Sequence, residues 1–409
     1  MAQEIKYIKI ISYNNFPYGG ASANYVRNLA FALQNKDVDV LLPTGNIYGH
    51  YIDNHICKVN KIKTTTYRHL GFSKHSKNYF GKIFDYIYGA LHLYFYILEK
   101  KMKKEVNLII KYDVSFNNDL LLLLFAKFLN IKLIYVIVEF YKKPSRSLMS
   151  LSFYKWLDFY FGITLLPKYA DGIIVLTTFL ENFILKKFDY KKPILIQPNL
   201  VDSSFFDNSK IIASYKDGFK TIGYCGVLNP KDGIYDLLNS FQMLLEKHPK
   251  THLLIIGDIT NGSSIIPELK KYTSKLKIIK NVTFTGLVST EKVPALLNAC
   301  DILALPRKSG IFAEAGFPTK LGEYFACKKP VVVSKVGDIP KYFTNYKEVV
   351  LVEPDNPLSL FSGFNYLLLN EKQASIIGAN GYHWMKNNLD YPVVSKRLLD
   401  FIDNVYFRR

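Results

Sequence analysis

Residues 309–342 read SGIFAEAGFPTKLGEYFACKKPVVVSKVGDIPKY, a small-residue loop, a proline, a lysine and a glutamate ahead of an apolar helix and a β-branched run. Lys320 and Glu323 stand at i and i+3 and so share a helix face. Pro318 suits the first turn of that helix, because the N–H it lacks would have no partner there. The amides of Gly316, Phe317 and Thr319 then fall at the positive end of the helix, where an anion is favoured. Glycine at 316 also lets a ligand approach the backbone closely. A cation beside a diphosphate, and a carboxylate accepting hydrogen bonds from sugar hydroxyls, would use both side chains. The same spacing equally describes a surface ion pair worth roughly 0.2–0.5 kcal/mol.

Three further loops sit at predicted strand ends. NFPYGGAS places Gly19 and Gly20 before a helix, as a phosphate-cradling loop or a plain tight turn would, without the full G-x-G-x-x-G. GVLNPKDGIYDLL offers Lys231 near another helix start. PNLVD, residues 198–202, falls where two series of strands meet, as a hinge or domain connection would.

The elements that must position these loops alternate along the chain. YIKII, VDVLL, VNLII, KLIYVIV, DGIIVLT and PILIQ are β-branched runs in the first half, most of them separated by helical stretches. TIGYCG, THLLIIGD, NVTFTG, DILALP, PVVVSK and EVVLVEP form a second such series. Parallel sheets with crossover helices read this way. The predicted fold class is therefore α/β, with two Rossmann-like doubly wound domains facing across a cleft that holds the ligand. The expected boundaries are 1–198 and 199–388. A final amphipathic helix over 389–409 is expected to pack back towards the N-terminal domain.

A chain of 409 residues, 49% hydrophobic, can bury two substantial cores. Cys57, Cys225, Cys300 and Cys327 are scattered without metal-ligand spacing, which favours a reducing, cytoplasmic setting over a disulfide framework. The N-terminus enters a strand directly and lacks a signal-peptide pattern. The apolar run 119–140 is interrupted by Lys127, Asn130 and Lys132 and reads as a buried helix followed by a buried strand. Net charge is +19, with 27 Lys/Arg against 14 Asp/Glu in residues 1–200 and 26 against 20 in the remainder. Residues 58–104 alone hold 11 basic and 2 acidic residues among many aromatics, and residues 70–104 are expected to form a long amphipathic helix or a pair. An anionic membrane surface fits this segment, as does a solvated basic face. No nucleic-acid-binding motif accompanies the charge, which argues against a nucleic-acid partner.

Taken in order, FPYGGASANYVRNLAFAL, ADGIIVLTTFLENF, QPNLVD, GYCGVLNPKDGIYDLLNSF, VTFTGLVSTEKVPALLNACDILALP and GFPTKLGEYFACKKPVVVSKVGDIP resemble the GT-B glycosyltransferases of family 4 across nearly the whole chain. That family retains anomeric configuration. The resemblance implies an N-terminal acceptor-binding domain, a C-terminal nucleotide-sugar-binding domain and hexosyltransferase chemistry in surface polysaccharide synthesis, such as capsule or lipopolysaccharide. Glu323 matches the second glutamate of the family's E-x7-E motif, which holds the donor ribose. Gly316 and Phe317 match the loop whose amides approach the diphosphate, and Lys231 the lysine that neutralises it. Gly19 and Gly20 match the glycine loop facing the donor. The loop 286–288, ending at Val288, matches the region contacting the nucleobase.

Three departures accompany the likeness. The first glutamate of E-x7-E falls on Ala315, with Glu314 one residue early; the arginine that often partners the lysine falls near Val227; and no histidine follows KLIYVIV, where Glu139 is the obvious polar residue. Lys320 is expected to replace the missing arginine charge, and Glu314 or Glu139 to take the sugar-binding role. Cations and amides can stabilise a departing diphosphate without a metal, and no D-x-D stands at a convincing strand end, so no metal or cofactor is expected. The expected partners are a nucleotide sugar of UDP or GDP type, a glycan or lipid-linked acceptor, and the inner face of a membrane. A non-catalytic GT-B protein that binds a sugar nucleotide or a partner enzyme is the alternative.

Overall fold

The β-branched runs form two sheets, one in each of the two units into which the computed structural model divides: residues 1–200 with 391–409, and residues 201–390. The structure describes residues 5–43, 59–71, 79–144, 151–207, 215–259 and 263–408.

In the first unit the strands are β1 (Tyr7–Ile11), β2 (Asp37–Leu42), β3 (Val59–Ile62), β4 (Thr65–His69), β5 (Leu108–Tyr112), β6 (Lys132–Ile137), β7 (Gly172–Val175) and β8 (Ile194–Ile196). Their order is β3-β4-β2-β1-β5-β6-β7-β8, parallel except where β3 runs antiparallel to β4. That edge hairpin lies within the basic aromatic segment and carries no periodicity that separates it from a loop. The central strands β5 and β6 are buried almost throughout, as expected when helices cover both faces of a parallel sheet. The helices are α1 (Ala21–Ala32), α2 (Tyr79–Met102), α3 (Phe116–Phe128), α4 (Leu151–Leu165) and α5 (Thr178–Phe188), and α15 (Tyr391–Phe407) belongs to the same unit. The run 119–140 divides into α3 and β6, and the described part of 70–104 holds one continuous helix of 24 residues.

A buried charge network pins α2 to the sheet. Asp39 of β2 accepts from Lys9 of β1 at 2.8 Å and from the Tyr96 hydroxyl of α2 at 3.0 Å, with Arg68 of β4 at 3.5 Å. Burial alone would raise the Asp39 carboxyl, but Lys9 and Arg68 hold it below the ordinary range.

The second unit holds β9 (Lys220–Cys225), β10 (Thr251–Ile256), β11 (Val282–Phe284), β12 (Ile302–Leu305), β13 (Val331–Ser334) and β14 (Val350–Val352), all parallel, in the order β11-β10-β9-β12-β13-β14. Its helices are α6 (Ser204–Asp207), α7 (Ile234–Lys247), α8 (Ile266–Lys275), α9 (Val293–Asn298), α10 (Ile311–Ala315), α11 (Thr319–Ala326), α12 (Ile339–Tyr342), α13 (Pro357–Leu369) and α14 (Glu371–Asn388). Ile222, Leu237, Phe241, Leu253 and Phe364 lie in its core.

Apart from the β3–β4 edge hairpin, the strand order in each sheet reverses once: between β1 and β5 in the first unit, and between β9 and β12 in the second. Carboxyl ends of strands at such a reversal are where open α/β sheets bind ligands. Among the described residues no helix is long and apolar enough to cross a membrane.

Candidate functional site

The reversal in the second unit brings two loops together. Gly233 ends the β9–α7 loop at φ 76°, and a Cβ there would lie 1.7 Å from the Pro306 carbonyl oxygen at the end of β12. Only glycine satisfies both the left-handed backbone and the contact, and it sets the start of α7 against the β12 edge. Gly233→Ala is expected to cost at least about 2 kcal/mol, since strain and overlap act together. A chemical denaturation midpoint equal to that of the wild type would overturn this account.

Cations converge on the same spot. Lys231 Nζ lies 3.5 Å from the centre of the Phe312 ring, and the Arg307 guanidinium carbon lies 4.8 Å from it. Arg307 is only 7% exposed and donates to the Gly316 carbonyl at 3.1 Å. Burial raises the Asp232 carboxyl, while Arg307 and Lys231 pull it the other way. Arg307 was not among the residues singled out from sequence, because it follows DILALP without a motif. A charged residue directly after a fully apolar strand, at a predicted sheet edge, is the signal that marks it.

The opening helix is α11. The Tyr324 hydroxyl accepts from the Cys225 amide at 2.7 Å, which ties α11 to the end of β9. Lys320 Nζ lies 2.8 Å from Glu323 Oε2, and Glu323 is only 7% exposed, so this is no ordinary surface pair. The pairing balances the Lys320 charge locally. Arg307 is the cation that shares the Phe312 ring with Lys231. The Gly316 amide donates to the Phe312 carbonyl at 3.1 Å and closes α10, so the N–H expected to meet an anion already has a partner. Phe317 is buried edge-to-face against Tyr342 at 5.8 Å, and Thr319 opens α11. Glu314 is exposed and accepts from the Gly337 amide at 3.3 Å, bracing the loop after β13. Val288 follows β11 on the same edge, in a loop whose Gly286 carbonyl accepts from the Gly257 amide at 3.1 Å.

Gly19, Gly20 and Glu139 lie in the first unit. Gly19 and Gly20, at φ 134° and 116°, turn the chain from β1 into α1. Glu139 follows β6 and accepts a hydrogen bond from the Tyr141 hydroxyl. Beside it, at the end of β5, stand two residues not singled out from sequence. Lys111 is buried, with Nζ 2.9 Å from the Tyr112 carbonyl, 3.0 Å from the Asp113 carbonyl and 3.2 Å from Asp119 Oδ1. Burial pushes the Asp113 carboxyl up to about 6, with Lys111 opposing and Glu139 adding to the rise. The lysine and aspartate in LIIKYDV are the available sequence signal.

Among the described residues no group of three or more His, Cys, Asp or Glu is placed to hold a metal ion. Cys225, Cys300 and Cys327 are buried free thiols, and Cys57 lies outside the described residues.

Residues 206–384 match the family model described as glycosyl transferases group 1. A relative from Bacillus subtilis, the "Putative teichuronic acid biosynthesis glycosyltransferase TuaH", is 27% identical over 229 residues, covering 54% of this chain and 52% of its own. The chain thus spans about half the length of the curated relatives it matches. Among solved structures, sucrose-phosphate synthase from Thermosynechococcus elongatus superposes with a TM-score of 0.75 at 16% identity, over 98% of this chain and 99% of that one. Anabaena HepE in complex with UDP-glucose gives 0.68 at 14% identity, over 97% and 99%.

Proposed function

Taking residues 206–384 as the group 1 glycosyl transferase domain of a GT-B protein, we propose that the chain transfers a sugar from a nucleotide-sugar donor of UDP or GDP type. The second unit binds the donor and the first binds the acceptor. The observation that carries this reading is that Lys231 and Arg307 both lie against the Phe312 ring at the β9/β12 reversal, while the buried carboxylate of Glu323 acts on Cys225 at the end of β9. A leaving diphosphate needs fixed positive charge where its own charge develops, and these two cations supply it. Glu323 accepts from the ribose hydroxyls, the 316–320 segment lies along the diphosphate, and the loop ending at Val288 borders the base. Transfer is of a hexosyl group with retention, and the departing phosphate oxygen accepts the acceptor's proton. The acceptor is a glycan or lipid-linked saccharide of surface polysaccharide synthesis, met at the inner face of a membrane.

A thermal-shift series with UDP, GDP, ADP, CMP and their sugar conjugates tests the donor site. One nucleotide family is expected to raise stability by about 2.7 kcal/mol at 100-fold excess over Kd, and Glu323→Ala to remove most of that gain. Turnover is expected to persist in EDTA. No stabilisation by any nucleotide would sink the proposal. Binding without transfer to any saccharide acceptor would favour the non-catalytic alternative, to which the missing first glutamate at Ala315 gives its weight.

A further inference from the structure

The carboxyl ends of β5 and β6 carry hydrogen-bond acceptors that the fold leaves unused. Lys111, the cation buried there, has three N–H bonds to give, and the Tyr112 carbonyl, the Asp113 carbonyl and Asp119 Oδ1 take them all. Asp113 Oδ1 accepts from the Val114 amide, and Glu139 Oε2 accepts from the Tyr141 hydroxyl. Among the described residues, Asp113 Oδ2 and Glu139 Oε1 receive no hydrogen bond, and neither carboxylate forms an ion pair. Of the two lysines that follow Tyr141, Lys142 is exposed, and Lys143 lies over the Phe153 and Trp156 rings of α4 at 5.8 and 5.7 Å.

These groups gather at one point. The Asp113 amide donates to the Val136 carbonyl of β6 at 2.9 Å, which sets the end of β5 beside the turn that bears Glu139. Burial, Asp113, Glu139, Tyr25 and Tyr141 together push the Tyr112 hydroxyl well above its ordinary value, so the four side chains surround it. Tyr25 of α1 is 1% exposed, its ring lies 5.5 Å from that of Tyr112, and its hydroxyl has no partner among the described residues. A buried polar group left without a partner is costly unless something else supplies one. Asp113 and Glu139 are half-buried and Tyr141 is exposed, so the cluster is open to a ligand at the β1/β5 reversal, where an open α/β sheet binds one.

The chemistry of the place selects among ligands. It offers two carboxylates with free acceptor oxygens, and its lysine is fully engaged. A hydroxyl brings the missing donors without charge. A phosphate or carboxylate would bring further acceptors and set like charge against like with no cation to offset it. The β9/β12 edge of the second unit, with Lys231 and Arg307, has the opposite character.

We propose that this edge of the first unit holds the acceptor's receiving sugar and admits only an uncharged ring, whose hydroxyls donate to Asp113 Oδ2 and Glu139 Oε1. The Tyr25 hydroxyl donates into the same site. Sugars bearing a carboxylate or phosphate on that ring are excluded, which makes Asp113 and Glu139 specificity-determining residues. The inference rests on the acceptor reading above and adds to it the class of acceptor.

Ligand-observed NMR titration of the full chain tests it, at about 0.3 M salt so that the general attraction of a +19 chain for anions is screened. The probes are the methyl glycosides of glucose, galactose, mannose and N-acetylglucosamine, set against glucuronate, galacturonate, glucose 6-phosphate and methyl glucosaminide. At least one neutral glycoside is expected to bind about tenfold more tightly than any charged sugar. Asp113→Asn/Glu139→Gln is expected to bring that ratio below about threefold by admitting the anionic sugars, and Glu139→Gln alone to narrow it by about threefold, with nucleotide thermal shifts as in the wild type. Equal or tighter binding of the anionic sugars, a preference for the ammonium sugar, binding of no glycoside, or an unchanged ratio in both variants would each overturn the proposal. Selective glycoside binding without a nucleotide shift would uphold this site and remove the donor reading instead.

Discussion

Replacing Arg307 with alanine is expected to lower kcat/KM for sugar transfer by about 10²–10³-fold, the usual effect of deleting one donor to developing oxyanion charge. Arg307 is held by burial, by its bond to the Gly316 carbonyl and by the Phe312 face, so its guanidinium is oriented before any ligand arrives. The variant should lose affinity for a nucleoside diphosphate far more than for the nucleoside. Arg307→Lys should recover part of the affinity, because charge is retained while the planar fork that reaches Gly316 is not. Calorimetric titration with UDP or GDP against uridine or guanosine separates these effects. If both ligands weaken equally, Arg307 only supports the loop and the diphosphate assignment fails.

Asp113→Asn is expected to stabilise the protein at alkaline pH while reducing transfer by about 10²-fold, the cost of losing a group that orients the acceptor. Burial pushes the Asp113 carboxyl up to about 6 in the fold, from an ordinary value of 3.8. The folded state therefore holds this proton more tightly than the unfolded chain does. The contribution of the group to stability is fully present below pH about 4. It declines as pH rises to about 6 and then levels off, a loss of at most about 3 kcal/mol. Asparagine keeps an oxygen to accept from the Val114 amide, which Asp113 Oδ1 now does at 2.8 Å, and removes the buried charge. Urea midpoints should accordingly agree near pH 4 and favour the variant at pH 8. A variant less stable at pH 8, or one with unchanged turnover, would show that Asp113 belongs to the fold alone. A carboxylate kept at a strand end despite such a cost is typical of a site where stability yields to function.

Much of this molecule was readable from order and periodicity. The β-branched runs YIKII, TIGYCG and DILALP become β1, β9 and β12, because a strand buried on both faces reads as a near-continuous apolar run, broken in β1 by the buried Lys9. The loops bearing Gly19, Lys231 and Gly316 follow those strands, so their place at the carboxyl edges followed once the strands were recognised. The i, i+3 placement of Lys320 and Glu323 on one helix was equally a property of the sequence.

What the chain order could not settle is which side chains meet across elements distant in sequence. Arg307 and Lys231 reach the same Phe312 ring because β12 pairs beside β9, a register 80 residues apart at Ile222 and Ile302 that no local pattern encodes. Lys111 and Asp113 read as interruptions in an apolar run until β5 is set between β1 and β6. The Gly316 amide looked open to an anion, but the turn of α10 closes it on Phe312. The β3–β4 hairpin was hidden because VNKIKTTTYRH is largely polar, and the outward face of α2 for another reason. Where nearly every position of a segment is aromatic or aliphatic, periodicity cannot say which face the fold will bury. Sequence thus determined the strands, the helices and the loops that carry the chemistry. Only tertiary packing decided which cation stands by which, because burial and electrostatics act through space rather than along the chain.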